Sequence, residues 1–168
     1  MTRYDPALSP AQELRANVAV PFERAHAMPK SVYTSPDFAK QEQQQVVAKD
    51  WLCAGRADGL KEAGDYLTMT IAGEPVIVLR DHDGQLRAMS NVCRHRQAVM
   101  LRGKGQLGQV KGGAPGHIVC PLHRWTYNEQ GTLVGAPHFQ QDPCLHLQHF
   151  ETQSWNGLVF EAPAGGMA

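Results

Sequence analysis

The stretches of sequence that decide the fold are Cys93-Arg94-His95 and Cys120-Pro121-Leu122-His123. Each carries one thiol and one imidazole, so together they offer four metal ligands of two kinds. At the end of an extended strand, residues two apart point to the same side, so the Cys and the His of the first stretch can reach one site. In the second stretch the proline bends the chain, and a turn can direct its Cys and its His inward. The sequence therefore predicts a metal centre built from two loops.

Two kinds of metal centre suit this ligand set. Thiolate suits zinc or iron–sulfur clusters, and imidazole suits zinc, copper or iron. Structural zinc accepts two Cys and two His, but zinc fingers usually place both cysteines on one arm and both histidines on the other. Here each arm carries one of each, which fits a [2Fe–2S] cluster with one iron on two cysteines and the other on two histidines. A structural zinc site remains the alternative.

The residues around both stretches resemble the two cluster-binding loops of Rieske oxygenase large subunits. The first loop reads Asn91-Val92-Cys93-Arg94-His95-Arg96, and the second reads Cys120-Pro121-Leu122-His123-Arg124-Trp125-Thr126-Tyr127. The resemblance extends over nearly everything after about Tyr33, and its further segments include Trp51–Arg56, Gly73–Val78 and Trp155–Phe160. Neither loop supplies the extra cysteine that forms a disulfide in Rieske proteins of respiratory complexes.

The resemblance implies an all-β domain, a Rieske-like antiparallel sandwich or barrel with two cluster-binding loops, preceded by an N-terminal helical segment. It implies that a Rieske-type [2Fe–2S] cluster is bound by Cys93, His95, Cys120 and His123. One of the two histidines is expected to be exposed at the end of the domain. Around the ligands we expect Arg96 and Trp125, the latter as a cover over the cluster or as a plain core aromatic.

The function implied by the resemblance is one-electron transfer within an oxidoreductase. In this family a reductase or ferredoxin supplies the electron, and the mononuclear iron of an oxygenase domain or neighbouring subunit uses it for hydroxylation or demethylation. This chain is then a Rieske oxygenase component, and a homo-oligomer is one expectation. We find no convincing 2-His-1-carboxylate set, since His138, His146 and His149 are better read as surface or structural histidines. The alternatives are a stand-alone Rieske ferredoxin-like carrier and a structural zinc-binding module.

Sequence patterns divide the chain into three parts. Residues 1–34 form an arm that is partly helical or disordered, with a short helix beginning at a capping box at Ser9. Residues 35–50 form a helix capped by Ser35 and running to about Lys49. Residues 51–168 form the Rieske domain, and no catalytic mononuclear-iron domain is expected in this chain.

Within residues 51–168 the apolar pattern predicts short strands. Leu67, Met69 and Ile71 alternate with threonines, which predicts a half-buried strand, and Val76–Leu79 is a continuous apolar strand. The closing strands are predicted at Leu145–Phe150 and Leu158–Phe160. Two further expectations are that Cys53 is buried and that the Gly-rich segment Lys111–Gly116 forms a longer loop far from the ligands.

The net charge is zero, but the charge is unevenly distributed along the chain. From Arg87 to Asn128 there are seven basic residues and no acidic one, so the remainder carries a net charge of −7. A basic surface near the ligands would offer a docking face for an acidic electron donor, although a solvated basic loop is the alternative.

The expected surroundings of the protein follow from its composition and its N-terminus. No run approaches the ~18–20 apolar residues of a membrane helix, and the N-terminus lacks a signal-peptide pattern. Four cysteines, two of them candidate ligands, do not make a disulfide framework. We therefore expect a cytoplasmic protein without a membrane or nucleic-acid partner.

Overall fold

The structure is a computed structural model that describes residues 8–141 and 143–162. The chain forms two compact units, one within the first 47 residues and the other from residue 48 onward. In the described residues, the regular elements of the first unit are helices, and those of the second are antiparallel strands with short 3-10 turns.

The first unit contains three helices, α1 at Pro10–Val18, α2 at Lys30–Thr34 and α3 at Pro36–Gln45. The capping box predicted at Ser9 is confirmed: its hydroxyl accepts from the Gln12 N–H, and the Gln12 side chain accepts from the Ser9 N–H. The Ser31 hydroxyl donates to the carboxylate of Glu13 at 2.6 Å and so joins α2 to α1. In the described part of the chain, no helix is long and apolar enough to cross a membrane.

Helix α3 begins where predicted but ends earlier. The Ser35 side chain caps it by accepting from the Phe38 N–H at 3.2 Å. It ends at Gln45 instead of about Lys49, and a separate 3-10 turn follows at Val47–Lys49. The β-branched Val46 and Val47, which fit a helix less well, stand where it stops.

The second unit contains two antiparallel sheets. The larger has seven strands in the order β1-β10-β9-β4-β3-β2-β5, and the smaller has three in the order β6-β7-β8. Strands β1 to β5 span Leu52–Arg56, Asp65–Ile71, Glu74–Arg80, Leu86–Ser90 and Lys104–Gln106. Strands β6 to β10 span His117–Val119, Thr126–Asn128, Leu133–Gly135, His149–Trp155 and Leu158–Ala162. Short 3-10 turns stand at Phe22–Arg24 and Ala57–Gly59. The predicted all-β class is confirmed.

Strand β3 separates two apolar clusters. Ile77 and Leu79 face a cluster shared with the small sheet through Ile118 and Tyr127. The alternate residues of β3, such as Val78, face a second cluster that includes residues of β1, β2 and β10. Because both faces are covered, the strand reads as a continuous apolar run, as predicted. The small sheet, which carries the second candidate loop, is thereby fixed to the large one.

Two predictions for this unit are wrong. The strand expected at Leu145–Phe150 begins only at His149, because the preceding residues follow the Gly131 turn, where the Leu147 N–H donates to the Gly131 carbonyl. Cys53 is exposed instead of buried. It lies in β1 at the edge of the large sheet, where its neighbour Ala54 takes the inward position.

The turn after β3 contacts the turn after β7. The Glu129 carboxylate, which is buried, accepts from the backbone N–H of His82 at 3.0 Å and lies 2.7 Å from its Nδ1. Next to His82, the buried Asp81 carboxylate accepts from the N–H groups of Asp83 and Gln85 and from Arg87. These carboxylates order the end of both sheets.

Candidate metal centre

The two candidate loops share one backbone plan. In the first, the Cys93 N–H donates to the Ala98 carbonyl at 2.9 Å, and the Gln97 N–H donates to the Cys93 carbonyl at 2.9 Å. In the second, the Cys120 N–H donates to the Trp125 carbonyl at 2.8 Å, and the Arg124 N–H donates to the Cys120 carbonyl at 3.1 Å. Each loop is therefore a tight turn that begins at its cysteine.

Both turns close with a residue in the left-handed region. Gln97 has φ 54° and Arg124 has φ 61° at equivalent positions, four residues after the cysteine. The first turn is closed by a bridge between Val92 and Val99, and the second by the pairing of β6 with β7. A non-glycine residue at such φ carries a cost of about 1–2 kcal/mol, so the surrounding contacts must hold both turns in place.

The structure brings like ligands together. Cys93 and Cys120 are 1% and 2% exposed, and their thiols interact with each other. The rings of His95 and His123 lie edge to face with centroids 4.8 Å apart. His123 is exposed, as are its neighbours Pro121 and Leu122. The histidine pair thus lies toward solvent and the cysteine pair toward the core, and the expectation of an exposed histidine is confirmed.

His95 is prepared to act as a neutral ligand. Burial lowers its pKa, and the nearby charges of His123 and Arg96 lower it further. Its Nδ1 is buried, and no described residue offers it a hydrogen-bond partner. A buried ring nitrogen without a partner is costly unless a group outside the chain satisfies it. Metal ligation requires the neutral imidazole that this environment favours.

This arrangement fits the expected [2Fe–2S] cluster. Such a cluster needs two cysteines on one iron and two histidines on the other, and the structure supplies one pair of each kind. A structural zinc ion needs its four donors around one point. Within residues 8–141 and 143–162, no three Cys, His, Asp or Glu side chains are grouped to hold a single ion.

Tyr127 contacts the cysteine side of the site. Its hydroxyl accepts from the Arg94 N–H at 3.0 Å and lies 3.5 Å from the Cys93 sulfur. Since the oxygen already accepts from the backbone, its hydrogen is left to point at the sulfur. Burial raises the pKa of Tyr127, so it remains a protonated donor. Sequence reasoning quoted Tyr127 only as part of a motif, although its place in β7 two residues after Trp125 puts both on one face.

Trp125 and Phe139 enclose the histidine side. The indole of Trp125 is 1% exposed and stacks on His95 with centroids 4.8 Å apart and planes 7° apart. Phe139 meets Trp125 edge to face at 5.2 Å and His95 at 6.1 Å. Arg96, the other residue expected near the ligands, is exposed and acts on His95 through its charge. Phe139 lies far along the chain in a loop and carried no sequence signal.

The Gly-rich segment Lys111–Gly116 lies only partly far from the candidate ligands: Gly116 lies beside Glu129 at the far turn, whereas Gly112 lies close to Arg124. The guanidinium of Arg124, which follows His123, donates to the Gly112 carbonyl at 3.0 Å. Val110 packs against the core shared by the two sheets, which draws the loop back toward the site. His138, His146 and His149 are exposed, as expected for surface or structural histidines, and His146 Nδ1 accepts from the Leu133 N–H.

Two known proteins are similar to most of this chain. Putrescine 2-hydroxylase of Ralstonia nicotianae is 40% identical over 134 residues, which cover 80% of this chain and 34% of that protein. The carnitine monooxygenase oxygenase subunit of Acinetobacter baumannii is 33% identical over 77% of this chain and 32% of its own length. The chain thus spans about a third of the length of these relatives.

Solved structures and a family match complete the comparison. A crystal structure of the quaternary ammonium Rieske monooxygenase CntA superposes with a TM-score of 0.76 at 30% identity, covering 86% of this chain and 40% of that one. Residues 50–154 match the Rieske [2Fe–2S] domain, which accounts for more than half of the chain. The protein is therefore a member of the Rieske [2Fe–2S] domain family.

Proposed function

We propose that Cys93, His95, Cys120 and His123 hold a Rieske-type [2Fe–2S] cluster and that the chain relays single electrons to the mononuclear iron of an oxygenase. The observation that carries the proposal is the pairing of two buried thiols on one side and two imidazoles, one exposed, on the other. When bound, such a cluster accepts and donates one electron, at a potential of roughly −150 to +300 mV.

The chain's own residues have three tasks in this function. The tight turns beginning at Cys93 and Cys120 orient the ligands before the cluster binds. The hydroxyl of Tyr127 and the indole of Trp125 exclude water from the inner side of the site. His123 lies exposed, so it gives a partner protein direct access to the site.

The partners proposed for the chain follow from its relatives and its charge. The relatives are named as hydroxylases and monooxygenases, and the one from Acinetobacter baumannii is named an oxygenase subunit. We therefore propose an oxygenase iron domain or subunit as the electron acceptor, and assembly of several copies of the chain. As donor we propose a reductase or ferredoxin with an acidic surface, acting in the cytoplasm, because the seven basic residues of Arg87–Asn128 surround the ligands in sequence.

Reconstitution of the purified chain with iron and sulfide tests the proposal. We expect about two iron and two sulfide per chain, visible colour, and an EPR signal on reduction. Cys93→Ser and Cys120→Ser are expected to abolish all three, whereas Cys53→Ser, which changes an exposed cysteine outside the site, is expected to retain them. His123→Cys is expected to lower the potential, because a thiolate replaces a neutral imidazole.

Several outcomes would contradict the proposal. Colourless protein containing one zinc per chain would favour the structural zinc alternative. A coloured, EPR-active Cys120→Ser protein would remove that residue from the ligand set. Electron transfer to substrate without any iron-containing partner would favour the alternative of a stand-alone electron carrier.

A further inference from the structure

The indole N–H of Trp125 is a buried donor for which the described residues supply no acceptor. Trp125 is 1% exposed, and its Nε1 has no hydrogen-bond partner among the residues described. An N–H buried in this state costs about 1–3 kcal/mol if it remains unpaired. Buried tryptophans usually find a partner, so this one calls for an acceptor that the chain does not itself provide.

The indole is held in place from three directions. Its backbone carbonyl accepts from the Cys120 N–H at 2.8 Å, so its position is tied to a candidate ligand. One face stacks on the His95 ring at a centroid distance of 4.8 Å, and Phe139 meets the indole edge to face at 5.2 Å. The indole N–H therefore cannot turn toward solvent to donate a hydrogen bond to water.

A second unpartnered nitrogen lies in the ring stacked on this indole. The Nδ1 of His95 is also buried and without a described partner. The two unpartnered nitrogens therefore belong to stacked rings whose centroids are 4.8 Å apart, so a group bound at His95 Nδ1 also lies close to the indole. The Cys93 and Cys120 sulfurs lie on the core side of the site, and neither accepts a hydrogen bond from the indole.

We propose that Trp125 donates a hydrogen bond from its indole N–H to a sulfur of the bound cluster and thereby raises the cluster's reduction potential. This proposal rests on the proposed function. A donor aimed at sulfur stabilises the reduced form, which carries the additional negative charge, more than the oxidised form. Trp125 thus acts on electron transfer directly, in addition to excluding water from the site.

The test compares reduction potentials of the reconstituted protein and its variants by dye-coupled titration. Trp125→Phe keeps a buried aromatic ring but removes the donor. We expect its equilibrium constant for reduction by a reference dye to fall about tenfold, which corresponds to about 59 mV for a one-electron couple. Trp155→Phe, which removes an exposed indole N–H outside the site, is the matched control and is expected to leave the potential unchanged. Phe139→Leu alters the packing of His95 and Trp125 without removing an N–H, and its potential is expected to fall by much less than that of Trp125→Phe.

A second measurement guards against a Trp125→Phe protein that does not fold or assemble. Trp125 is replaced with 3-benzothienylalanine, which exchanges the N–H for sulfur at nearly constant shape. Trp51 and Trp155 are changed to Phe in both the reference and the test protein. The same fall in potential is expected. If both substitutions leave the reduction potential unchanged, the proposal is overturned and the N–H is assigned to a buried water. If the potential of Phe139→Leu falls as far as that of Trp125→Phe, Trp125 acts only through its packing. Failure of the unaltered chain to bind iron and sulfide would instead show that the proposed function is wrong.

Discussion

At the scale of single residues, the site depends on a few buried side chains that contact the candidate ligands. Tyr127 is the clearest case, because its hydroxyl oxygen accepts from the Arg94 N–H and lies 3.5 Å from the Cys93 sulfur, to which we expect it to donate. The same hydroxyl therefore fixes the first loop and withdraws charge from a candidate ligand. Its pKa is raised by burial, so it keeps its proton over the whole working range of pH.

Tyr127→Phe is expected to lower the reduction potential of the reconstituted protein by a few tens of mV. A hydrogen bond contributes a net stabilisation of about 1 kcal/mol. This corresponds to a few tens of mV, because a tenfold change in the equilibrium constant of a one-electron couple is about 59 mV. Tyr66→Phe makes the same chemical change at another buried tyrosine of this core and is expected to leave the potential unchanged. Equal potentials in Tyr127→Phe and the unaltered protein would show that the hydroxyl does not bond to the sulfur.

Glu161 is a buried residue whose charge no described residue compensates. It is 1% exposed in β10, its Oε2 has no described partner, and burial raises its pKa. The folded state therefore holds this proton to higher pH than the unfolded state does. Stability is lost as the pH rises from the unfolded pKa, about 4.3, through the raised folded value.

Glu161→Gln removes this pH-dependent penalty. At pH 7 the variant is expected to be more stable than the unaltered protein by on the order of 1 kcal/mol, and the difference is expected to vanish near pH 4. Urea unfolding at both pH values measures it. Glu151→Gln, in the neighbouring strand β9 at an exposed position, is the control and is expected to show no such gain. A destabilised Glu161→Gln at pH 7 would mean that the carboxylate is charged and paired.

At the scale of elements, the turns that begin at Cys93 and Cys120 share one backbone plan that the sequence does not display. The ligands are separated by one residue in the first turn and by two in the second, so the stretches look unlike each other. The backbone hydrogen bonds are nevertheless equivalent, and both turns place a non-glycine residue in the left-handed region. The strain at Gln97 and Arg124 is therefore a property of the turn and independent of the residue type.

Substitution at Gln97 tests this view of the turn. Its side chain is exposed and its φ is 54°, so Gln97→Gly is expected to keep or raise the free energy of unfolding. Gln97→Val, which places a β-branched side chain at the same φ, is expected to lower it by about 1–2 kcal/mol. Chemical denaturation of both variants gives the comparison. A Gly variant less stable than the Val variant would mean that the turn adopts another backbone conformation.

The parts of the fold that could be predicted are those whose sequence signal is local. The candidate ligands and the run of β3 were inferred from spacing and periodicity, which are local properties. The hairpin between β9 and β10 had a local signal that was missed, because Asn156 and Gly157, with φ of 48° and 77°, form an Asn-Gly turn typical of hairpins. The start of β9 could not be predicted, since it depends on a contact with the distant Gly131 turn.

The same distinction applies to the site. The sequence singled out Cys93, His95, Cys120 and His123 as candidate ligands by residue type and spacing, and the fold brings them together in pairs. The contact of Phe139 with Trp125, and the reach of Arg124 to Gly112, join residues brought together only by the fold. Loop length alone does not say where a loop packs, so the sequence did not predict that Gly112 lies near Arg124. In the structure, Val110 anchors this loop in the core.

At the scale of the whole molecule, the main property is the separation of charge along a chain with no net charge. The segment that bears the ligands is basic throughout, and the remainder carries the compensating acidic excess. Within this segment Arg94, Arg96, Arg102, Lys104 and Arg124 are exposed. Such a distribution orients the protein in the field of an acidic partner and raises the rate of productive encounters, while its neutral total charge provides no long-range attraction.

The rate of reduction by an acidic donor is expected to depend steeply on salt. With a reduced, acidic [2Fe–2S] ferredoxin as the donor in stopped flow, the second-order rate is expected to fall about tenfold or more between about 0.01 M and about 1 M salt. Over this range the screening length falls from about 30 Å to about 3 Å. Arg94→Glu and Arg102→Glu are expected to reduce the slope, because they weaken the attraction that salt screens. Lys61→Glu makes the same charge change at an exposed position outside the basic segment and is expected to leave the slope nearly unaltered. A flat dependence for the unaltered protein would show that the basic segment is ordinary solvated surface, with no part in docking the donor.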